Sequence, residues 1–131
     1  MIYNDRGTMT VATSSASGAY PIEGVVVRIR GASEENRFEE YTVLTDRDGL
    51  TPEISLIAPA KIYSESPNAN EPPYALYDVE ISKEGYYSKY IYNVSVFSGV
   101  NSFLPVNMIP VDKSSTIPMG NLTTNVTQDL Q

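Results

Sequence analysis

Short stretches in which apolar and polar side chains alternate recur along most of this 131-residue chain, and they restrict its fold more than any other feature. In residues 25–30, for example, Val25, Val27 and Ile29 alternate with residues that include two arginines. Successive side chains of a strand point to opposite faces, so each stretch predicts a half-buried β-strand. Gly, Pro, Asp and Asn separate the stretches, and no long helical pattern is present. The sequence therefore predicts an all-β fold, a single antiparallel seven-stranded β-sandwich.

The predicted strands occupy residues 8–13, 25–30, 38–45, 54–56, 77–81, 86–96 and 104–108. They define a sandwich domain over residues 1–111, followed by a polar C-terminal arm over residues 112–131. Residues 58–73, between the fourth and fifth strands, are rich in Pro, Asn and Ser and show no periodicity. Loops of this length are uncommon in small domains and are often functional.

Five of the ten tyrosines lie in residues 77–97 and form either a binding platform or part of the core. Alternation favours the core or its edge for Tyr77, Tyr86, Tyr90 and Tyr92. Tyr87 falls on the opposite face with Lys89 and Ile91, while Tyr63 and Tyr74 lie in the unpatterned segment. Tyr63, Tyr74 and Tyr87 are therefore the candidates for a surface that stacks on sugars or contacts a protein, although most exposed tyrosines do neither.

The amino-acid composition removes several kinds of chemistry. The chain has no histidine and no cysteine, so it lacks the commonest general base and every thiolate metal ligand. The candidates for a paired-carboxylate site are Glu34, Glu35, Glu39 and Glu40, and their setting indicates a solvated loop and strand edge. We therefore expect no catalytic residue, no cofactor and no metal, and we expect that the chain is not an enzyme.

The net charge of −7 disfavours two classes of partner. Nucleic-acid binders normally carry a basic face, and an acidic chain is repelled by anionic lipid surfaces. No run of about 18 apolar residues is present, so no membrane span is predicted either. We expect neither a nucleic acid nor a membrane as a partner.

The segment TDRDG, residues 45–49, allows two interpretations. Asp46 and Asp48 resemble the start of a calcium loop, but Arg47 separates them and Leu50 stands where a further ligand is needed. A tight turn is the favoured interpretation, because Asp caps its own backbone and Gly49 accepts a positive φ angle.

The C-terminal arm is polar, with apolar residues spaced along it. These candidate anchors for a neighbouring subunit are Ile117, Met119, Leu122, Val126 and Leu130. The alternative is an arm that folds back on the sandwich or stays disordered. The first residues show no basic region followed by an apolar stretch, so we expect no secretory signal and synthesis in the cytoplasm.

Three stretches carry a family resemblance: PIEGVVVRIRG, VLTDRDGLTPEISL and YDVEISKEGYY, at residues 21–31, 43–56 and 77–87. Together they resemble the transthyretin-like, or carboxypeptidase-regulatory-like, β-sandwich family over about residues 7–111. Residues 58–73 depart from the usual family pattern. A subgroup with this insertion, which the chain resembles most, is the N-terminal domain of bacterial peptidoglycan-binding and spore-cortex-lytic proteins. The resemblance implies a sandwich that serves as an accessory module.

Two hypotheses of function follow. The first is a non-catalytic structural or interaction module, a subunit of a homo- or hetero-oligomeric assembly such as a phage tail, a virion or a spore structure. The second is an accessory domain that binds peptidoglycan, the cell-wall glycan, through its exposed tyrosines. A hydrolase of the transthyretin-related kind is rejected, because that kind relies on histidines that this chain lacks.

Overall fold

The computed structural model describes residues 3–60 and 73–111. Its strands are β1 (Asp5–Ser15), β2 (Tyr20–Pro21), β3 (Val26–Gly31), β4 (Glu40–Leu44), β5 (Ile54–Ala58), β6 (Ala75–Ser82), β7 (Lys89–Val96) and β8 (Asn101–Asn107). The predicted all-β fold and all seven predicted strands are confirmed. The two-residue β2 is an eighth strand, and a 3₁₀ turn (Ala16–Gly18) precedes it. The part of the chain that the structure describes holds no helix suited by length and hydrophobicity to traverse a bilayer.

The strands form two sheets, which we call sheet A and sheet B. Sheet B has the order β4-β3-β6-β7, and every pair in it is antiparallel. Sheet A is built around β1, which pairs antiparallel with β2 and β5 and parallel with β8. The predicted sandwich is therefore confirmed with one difference, the parallel β1–β8 pair. The chain crosses from sheet B to sheet A between β7 and β8, so no hairpin sets the direction of β8 against β1.

Apolar side chains from both sheets meet between them and form the core. The fully buried ones include Met9, Val11, Val27, Ile29, Leu56, Tyr77, Val79 and Ile81. Each aliphatic side chain buried in this way stabilises the fold by about 1.5–3 kcal/mol. Leu104, which alternation predicts in the core, is only partly buried, because β8 is an edge strand and its side chain is covered from one direction.

Two buried threonine hydroxyls join the sheets at one end of the sandwich. Thr13 of β1 and Thr45, which follows β4, both donate from Oγ1 to the carbonyl oxygen of Ile22, at 3.0 and 2.8 Å. Thr45 Oγ1 also accepts a hydrogen bond from the Val25 N–H at 2.9 Å. This satisfies polar backbone groups that the core would otherwise bury without partners.

The turn after Thr45 has the geometry that the sequence predicts. Asp46 Oδ1 accepts hydrogen bonds from the N–H groups of Asp48 and Leu50, at 2.9 and 3.0 Å. Gly49 has a φ angle of +78°, and a Cβ atom there would collide with the carbonyl oxygen of Thr13. Asp46 therefore uses its carboxylate to shape the turn, and only glycine fits at the fourth position after Thr45.

Candidate functional site

Strand β7 contains a β-bulge that decides which side chains the outer face of sheet B presents. The pairing of β7 with β6 slips by one residue between Tyr77 and Val79 of β6. Two residues of β7, Tyr92 and Asn93, consequently lie opposite one residue of β6, Asp78. Side chains of a strand alternate between the two faces of the sheet, so one extra residue shifts this alternation by one. Residues that would share a face in a regular strand therefore point to opposite faces before and after the bulge.

Asn93 has the backbone conformation that the bulge requires. Its φ angle is +61°, in the left-handed region that asparagine tolerates better than most residues. Asp78 Oδ1 accepts a hydrogen bond from the Asn93 N–H at 3.0 Å. A specific side chain therefore holds a backbone conformation that is unfavourable by itself, and such conformations concentrate at functional sites.

The bulge places the side chains of β7 differently from simple alternation. Lys89 is buried and Ile91 packs against the core, although both are predicted on the polar face. Tyr90 and Tyr92 point outwards, so their predicted core position is wrong: Tyr90 is half-buried and Tyr92 is 61% exposed. Tyr77, on the unbulged β6, is fully buried as predicted. Burial lowers the pKa of the Lys89 ammonium group.

The outward tyrosines border a groove of about 200 Å³ on sheet B. The groove is lined by Arg28, Arg30, Asp78, Val79, Glu80, Tyr90 and Tyr92. The rings of Tyr90 and Tyr92 are nearly parallel, with centroids 6.4 Å apart. The Tyr90 hydroxyl donates to Glu80 Oε2 at 3.2 Å, and burial together with the negative charge of Glu80 raises the pKa of Tyr90.

The two arginines of the groove differ in their partners. Arg28 is held by two carboxylates: its Nε lies 3.1 Å from Glu40 Oε2 and its NH1 lies 3.5 Å from Glu80 Oε1. The guanidinium of Arg30 makes no hydrogen bond or ion pair to any residue that the structure describes. Among the described residues, the groove therefore combines two aromatic rings with a guanidinium that makes no direct polar contact and with the carboxylates of Asp78 and Glu80. Such a lining suits a ligand that carries a ring and hydroxyl groups.

Tyr74 and Tyr87, two of the three tyrosines predicted as interaction residues, lie apart. Tyr74 is half-buried and packs on Phe97, with ring centroids 5.3 Å apart. Tyr87 is half-buried, and its N–H donates to the Ile109 carbonyl oxygen. They lie at opposite ends of the β6–β7 pair. The other candidates, Tyr63, Ile117, Met119, Leu122, Val126 and Leu130, lie outside the described residues. Tyr86 packs against the core, as predicted.

Sheet edges are the second candidate surface, and the edge at β5 is closed by side chains from the other sheet. Ile57 of β5 donates its N–H to Glu39 Oε1 at 3.1 Å, and its carbonyl oxygen accepts from the Tyr77 hydroxyl at 2.7 Å. The Tyr41 hydroxyl donates to Glu39 Oε2 at 2.9 Å, and Arg6 NH1 lies 3.7 Å from Glu39 Oε1. Glu39 is therefore buried, and its predicted solvated position is wrong.

The edges at β8 and β7 also carry obstacles to a further strand. Pro105 lies within β8, so this edge strand has no N–H at that position. Ser102 of β8 donates its hydroxyl to the carbonyl oxygen of Ser95 of β7 at 2.7 Å. Ahead of β7, Tyr86 forms an antiparallel bridge with Pro110, which occupies the start of that edge. These features are ways in which proteins keep sheet edges from pairing with other chains.

The edge at β4 has no such obstacle among the described residues. Gly31 donates its N–H to Glu39 and Thr45 donates its N–H to Val25, so odd-numbered residues of this strand bond to β3. Alternation then directs the backbone groups of Thr42 and Leu44 away from the sheet. Both side chains are exposed, Leu44 to 60%. Phe38, just before the strand, is 72% exposed.

An open sandwich is expected to have edge strands with unpaired backbone groups, but alternation predicts neither the groove nor which edge is free. A signal for the bulge is nevertheless present: Asn93 interrupts a run of strand-forming residues, and the apolar Ile91 falls on the face that alternation predicts to be polar. The free edge has no local signal, because the position of β4 in its sheet depends on contacts between strands that are far apart in the sequence.

No protein-family model matches the chain, and no curated protein matches it. Solved structures do show a similar fold. The Bacillus anthracis TIE protein has a TM-score of 0.52 at 16% identity, over 82% of this chain and 17% of that chain. The 3-chlorocatechol 1,2-dioxygenase from Rhodococcus opacus 1CP has a TM-score of 0.54 at 15% identity, over 84% and 62%. GBS52, the minor pilin of Streptococcus agalactiae, has a TM-score of 0.50 at 14% identity, over 90% and 49%.

These similarities establish the β-sandwich fold. The chain spans less than two thirds of the length of each of these three proteins. At such low identity the likeness extends to the fold alone, and the transthyretin-like relationship remains a prediction.

Replacing Asn93 should show how strongly the bulge depends on this residue. We expect Asn93→Ala to lower the free energy of unfolding by about 1–2 kcal/mol, because alanine is strained at a positive φ angle. Asn93→Gly should cost less, since glycine adopts this conformation readily. Urea denaturation of the three proteins measures the difference. Equal losses for alanine and glycine would contradict a role for the backbone conformation.

Tyr77 should make the fold sensitive to alkaline pH. Burial raises the pKa of Tyr77 above its ordinary value of about 10, so above that pH the unfolded chain releases a proton that the native state keeps. Its contribution to stability is therefore complete below about pH 10 and is lost as the pH rises further. Tyr77→Phe should lose stability less steeply above pH 10.

Near neutral pH, Tyr77→Phe should be less stable than the natural chain by about 1–3 kcal/mol, because the Ile57 carbonyl oxygen loses its donor. Tyr20→Phe is the matched control, since Tyr20 is 66% exposed. Urea denaturation at several pH values measures both effects. If the free energy of unfolding of Tyr77→Phe falls as steeply above pH 10 as that of the natural chain, the ionisation of other groups is responsible.

Proposed function

We propose that the chain is a non-catalytic interaction module, a subunit of a larger assembly that accepts a strand from a neighbouring protein at β4. The observation that carries this proposal is the contrast between the long edge strands. The edges at β5, β7 and β8 carry side chains, a bridge or a proline that obstruct pairing. At β4, by contrast, no residue of the described ranges 3–60 and 73–111 covers the outward backbone groups of Thr42 and Leu44. Proteins usually protect such an edge, so its openness supports a binding role.

Strand addition combines two sources of binding free energy. Backbone hydrogen bonds contribute about 0.5–1.5 kcal/mol each, whatever the sequence of the incoming strand. Side chains at alternate positions provide selectivity, and here the exposed Leu44 and Phe38 offer apolar surface beside the edge. A partner strand that covers these side chains would gain affinity from their removal from water.

The host assembly that we propose is a phage tail or virion, or a spore structure, into which the chain is incorporated after synthesis in the cytoplasm. A protein of the same fold, GBS52, is described as a minor pilin, so this fold occurs in an assembled protein. The acidic surface, with a net charge of −7, disfavours nucleic acid as the partner. The C-terminal arm, with its spaced apolar residues, is proposed as a second contact to a neighbour.

A second candidate function is that of an accessory domain for cell-wall glycan. It is favoured by the groove, where the exposed ring of Tyr92 and the guanidinium of Arg30, which contacts no polar group of a described residue, share one lining. Exposed aromatic rings stack on sugar rings, and arginine binds hydroxyl and carboxylate groups. Tyr74 and Tyr87 do not line this groove. Tyr63, which lies outside the described residues, remains a predicted contributor.

A photoreactive side chain on β4 tests the first proposal. We expect a photoreactive phenylalanine at position 44, irradiated in the cells that produce the chain, to form adducts with an extended segment of a neighbouring protein. The same residue at position 103 of β8 is the control, because Leu44 and Phe103 are similarly exposed, at 60% and 58%. Mass spectrometry identifies the captured protein and the crosslinked segment.

The variant Thr42→Pro should remove these adducts. Proline deletes an N–H that has no partner within the sheet, so the isolated fold should retain its melting temperature while the edge is blocked. Adducts that persist in Thr42→Pro, or that form equally at position 103, would contradict strand addition at β4.

Sedimentation with purified peptidoglycan tests the second candidate. We expect the chain to sediment with the glycan and Tyr92→Ala to lose most of this binding, because the stacking ring is gone. Tyr20→Ala is the control, since Tyr20 is as exposed as Tyr92, at 66% against 61%. Equal binding by both variants would show that the groove does not bind the glycan.

A further inference from the structure

We infer that the strand added to β4 is β4 of a second copy of the same chain, antiparallel about a twofold axis at Thr42. This inference rests on the proposed function and names its partner. It joins two copies of sheet B, each with the order β4-β3-β6-β7, into one continuous sheet whose centre is the β4–β4 pair. The argument comes from the free backbone groups of β4, from its sequence and from the charges around it.

The backbone pattern of β4 is suited to pairing with itself. Residues 40, 42 and 44 direct their N–H and C=O groups outwards, since the odd-numbered residues bond to β3. In an antiparallel pair centred on Thr42, residue 42 faces residue 42, and residue 40 of each copy faces residue 44 of the other. All three facing pairs then exchange both backbone hydrogen bonds, so no outward group of the strand is left without a partner.

The side chains on the core face of β4 are also complementary. In this register Tyr41 of each copy lies opposite Val43 of the other copy. Both side chains pack against the core yet remain only half-buried, because the sheet ends at β4. Aromatic and β-branched residues form favourable cross-strand pairs, and the second copy would extend the apolar inner face over the rim of each core.

The side chains on the outer face of β4 are also compatible with this register. Leu44, 60% exposed, lies opposite Glu40 of the second copy and covers the methylene groups of that side chain. Arg28 of the same copy as Glu40 holds its carboxylate, with Nε 3.1 Å from Oε2. The carboxylate therefore needs no new partner when the copies associate. Thr42 faces Thr42, and threonine pairs of this kind hydrogen-bond across strands.

Other registers are less favourable. Centring the pair on Glu40 would place two glutamates opposite each other, and like charges directly opposite destabilise a sheet. Centring it on Leu44 would pair only the ends of the strands, because β4 stops at Leu44 and the turn at Asp46 follows. The register centred on Thr42 alone uses the full length of the strand without opposing like charges.

The absence of cysteine from the natural chain gives a direct test of this register. In the Thr42-centred pair, the two Cα atoms of residue 42 are about 5.5 Å apart, within the span of a disulfide. We expect Thr42→Cys to form a disulfide-linked dimer on mild oxidation of the full chain. Leu44→Cys alone should not, because its two copies are about 14 Å apart along the strands. A mixture of Glu40→Cys and Leu44→Cys should form the mixed disulfide.

Sedimentation velocity provides a readout without oxidation. The natural chain should dimerise as its concentration rises, and the dimer should become stronger with added salt, because the two copies each carry a net charge of −7. Thr42→Pro should abolish the dimer and Phe103→Pro on β8 should leave it unchanged. Melting curves of both variants establish that each is folded.

The outcomes separate this inference from the proposed function. A chain that stays monomeric, or that crosslinks equally well through Thr42→Cys and Leu44→Cys, overturns self-pairing. If the photoreactive residue at position 44 then captures a different protein, strand addition at β4 still holds with that protein as the partner. If it captures nothing, the proposed function fails as well.

Discussion

The last strand of an open β-sheet exposes unpaired backbone groups that other chains can pair with, and the way each edge is covered or left open organises this sandwich. At β5 the barrier is a pair of bonds from sheet B: Glu39 and Tyr77 accept and donate the two outward hydrogen bonds of Ile57. Because these side chains come from the opposite sheet, the device that seals one edge also ties the two sheets together. Buried polar groups with complete partners of this kind favour one arrangement of the sheets over others.

The core is what the sequence reveals best, since alternation reads directly as inside and outside for Val27, Ile29 and their neighbours. Alternation fails where a β-bulge shifts the pattern by one residue, or where a polar side chain is buried by partners that lie far away in the sequence. The bulge at Asn93 is one residue long, yet it moves two tyrosines to the surface and a lysine inwards. Glu39 looks solvated in sequence because two of its partners, Arg6 and Ile57, lie far from it along the chain. The parallel direction of β8 is equally invisible, because a crossover sets it.

The two candidate surfaces arise from different causes. The groove exists because local backbone geometry turns Tyr90 and Tyr92 outwards beside Arg30, so it is a property of β7 and its immediate neighbours. The free edge exists because of the order of strands in sheet B, a property of the whole topology. The edge lies at β4 and the groove extends to β7 at the other side of the same sheet, so a strand added at one leaves the tyrosines of the other open to a different ligand.

The parallel pairing of β1 with β8 has a mechanical consequence. Thr8 lies beside Asn101 and Ser14 beside Asn107, so the chain enters β1 at one end of this ladder and leaves β8 at the other. Tension applied through the segments that flank the sandwich would pull the two strands in opposite directions along their axes. The hydrogen bonds between them are then sheared together and do not open one at a time. This geometry resists a stretching force, which is the load that a subunit carries in a fibre or a tail.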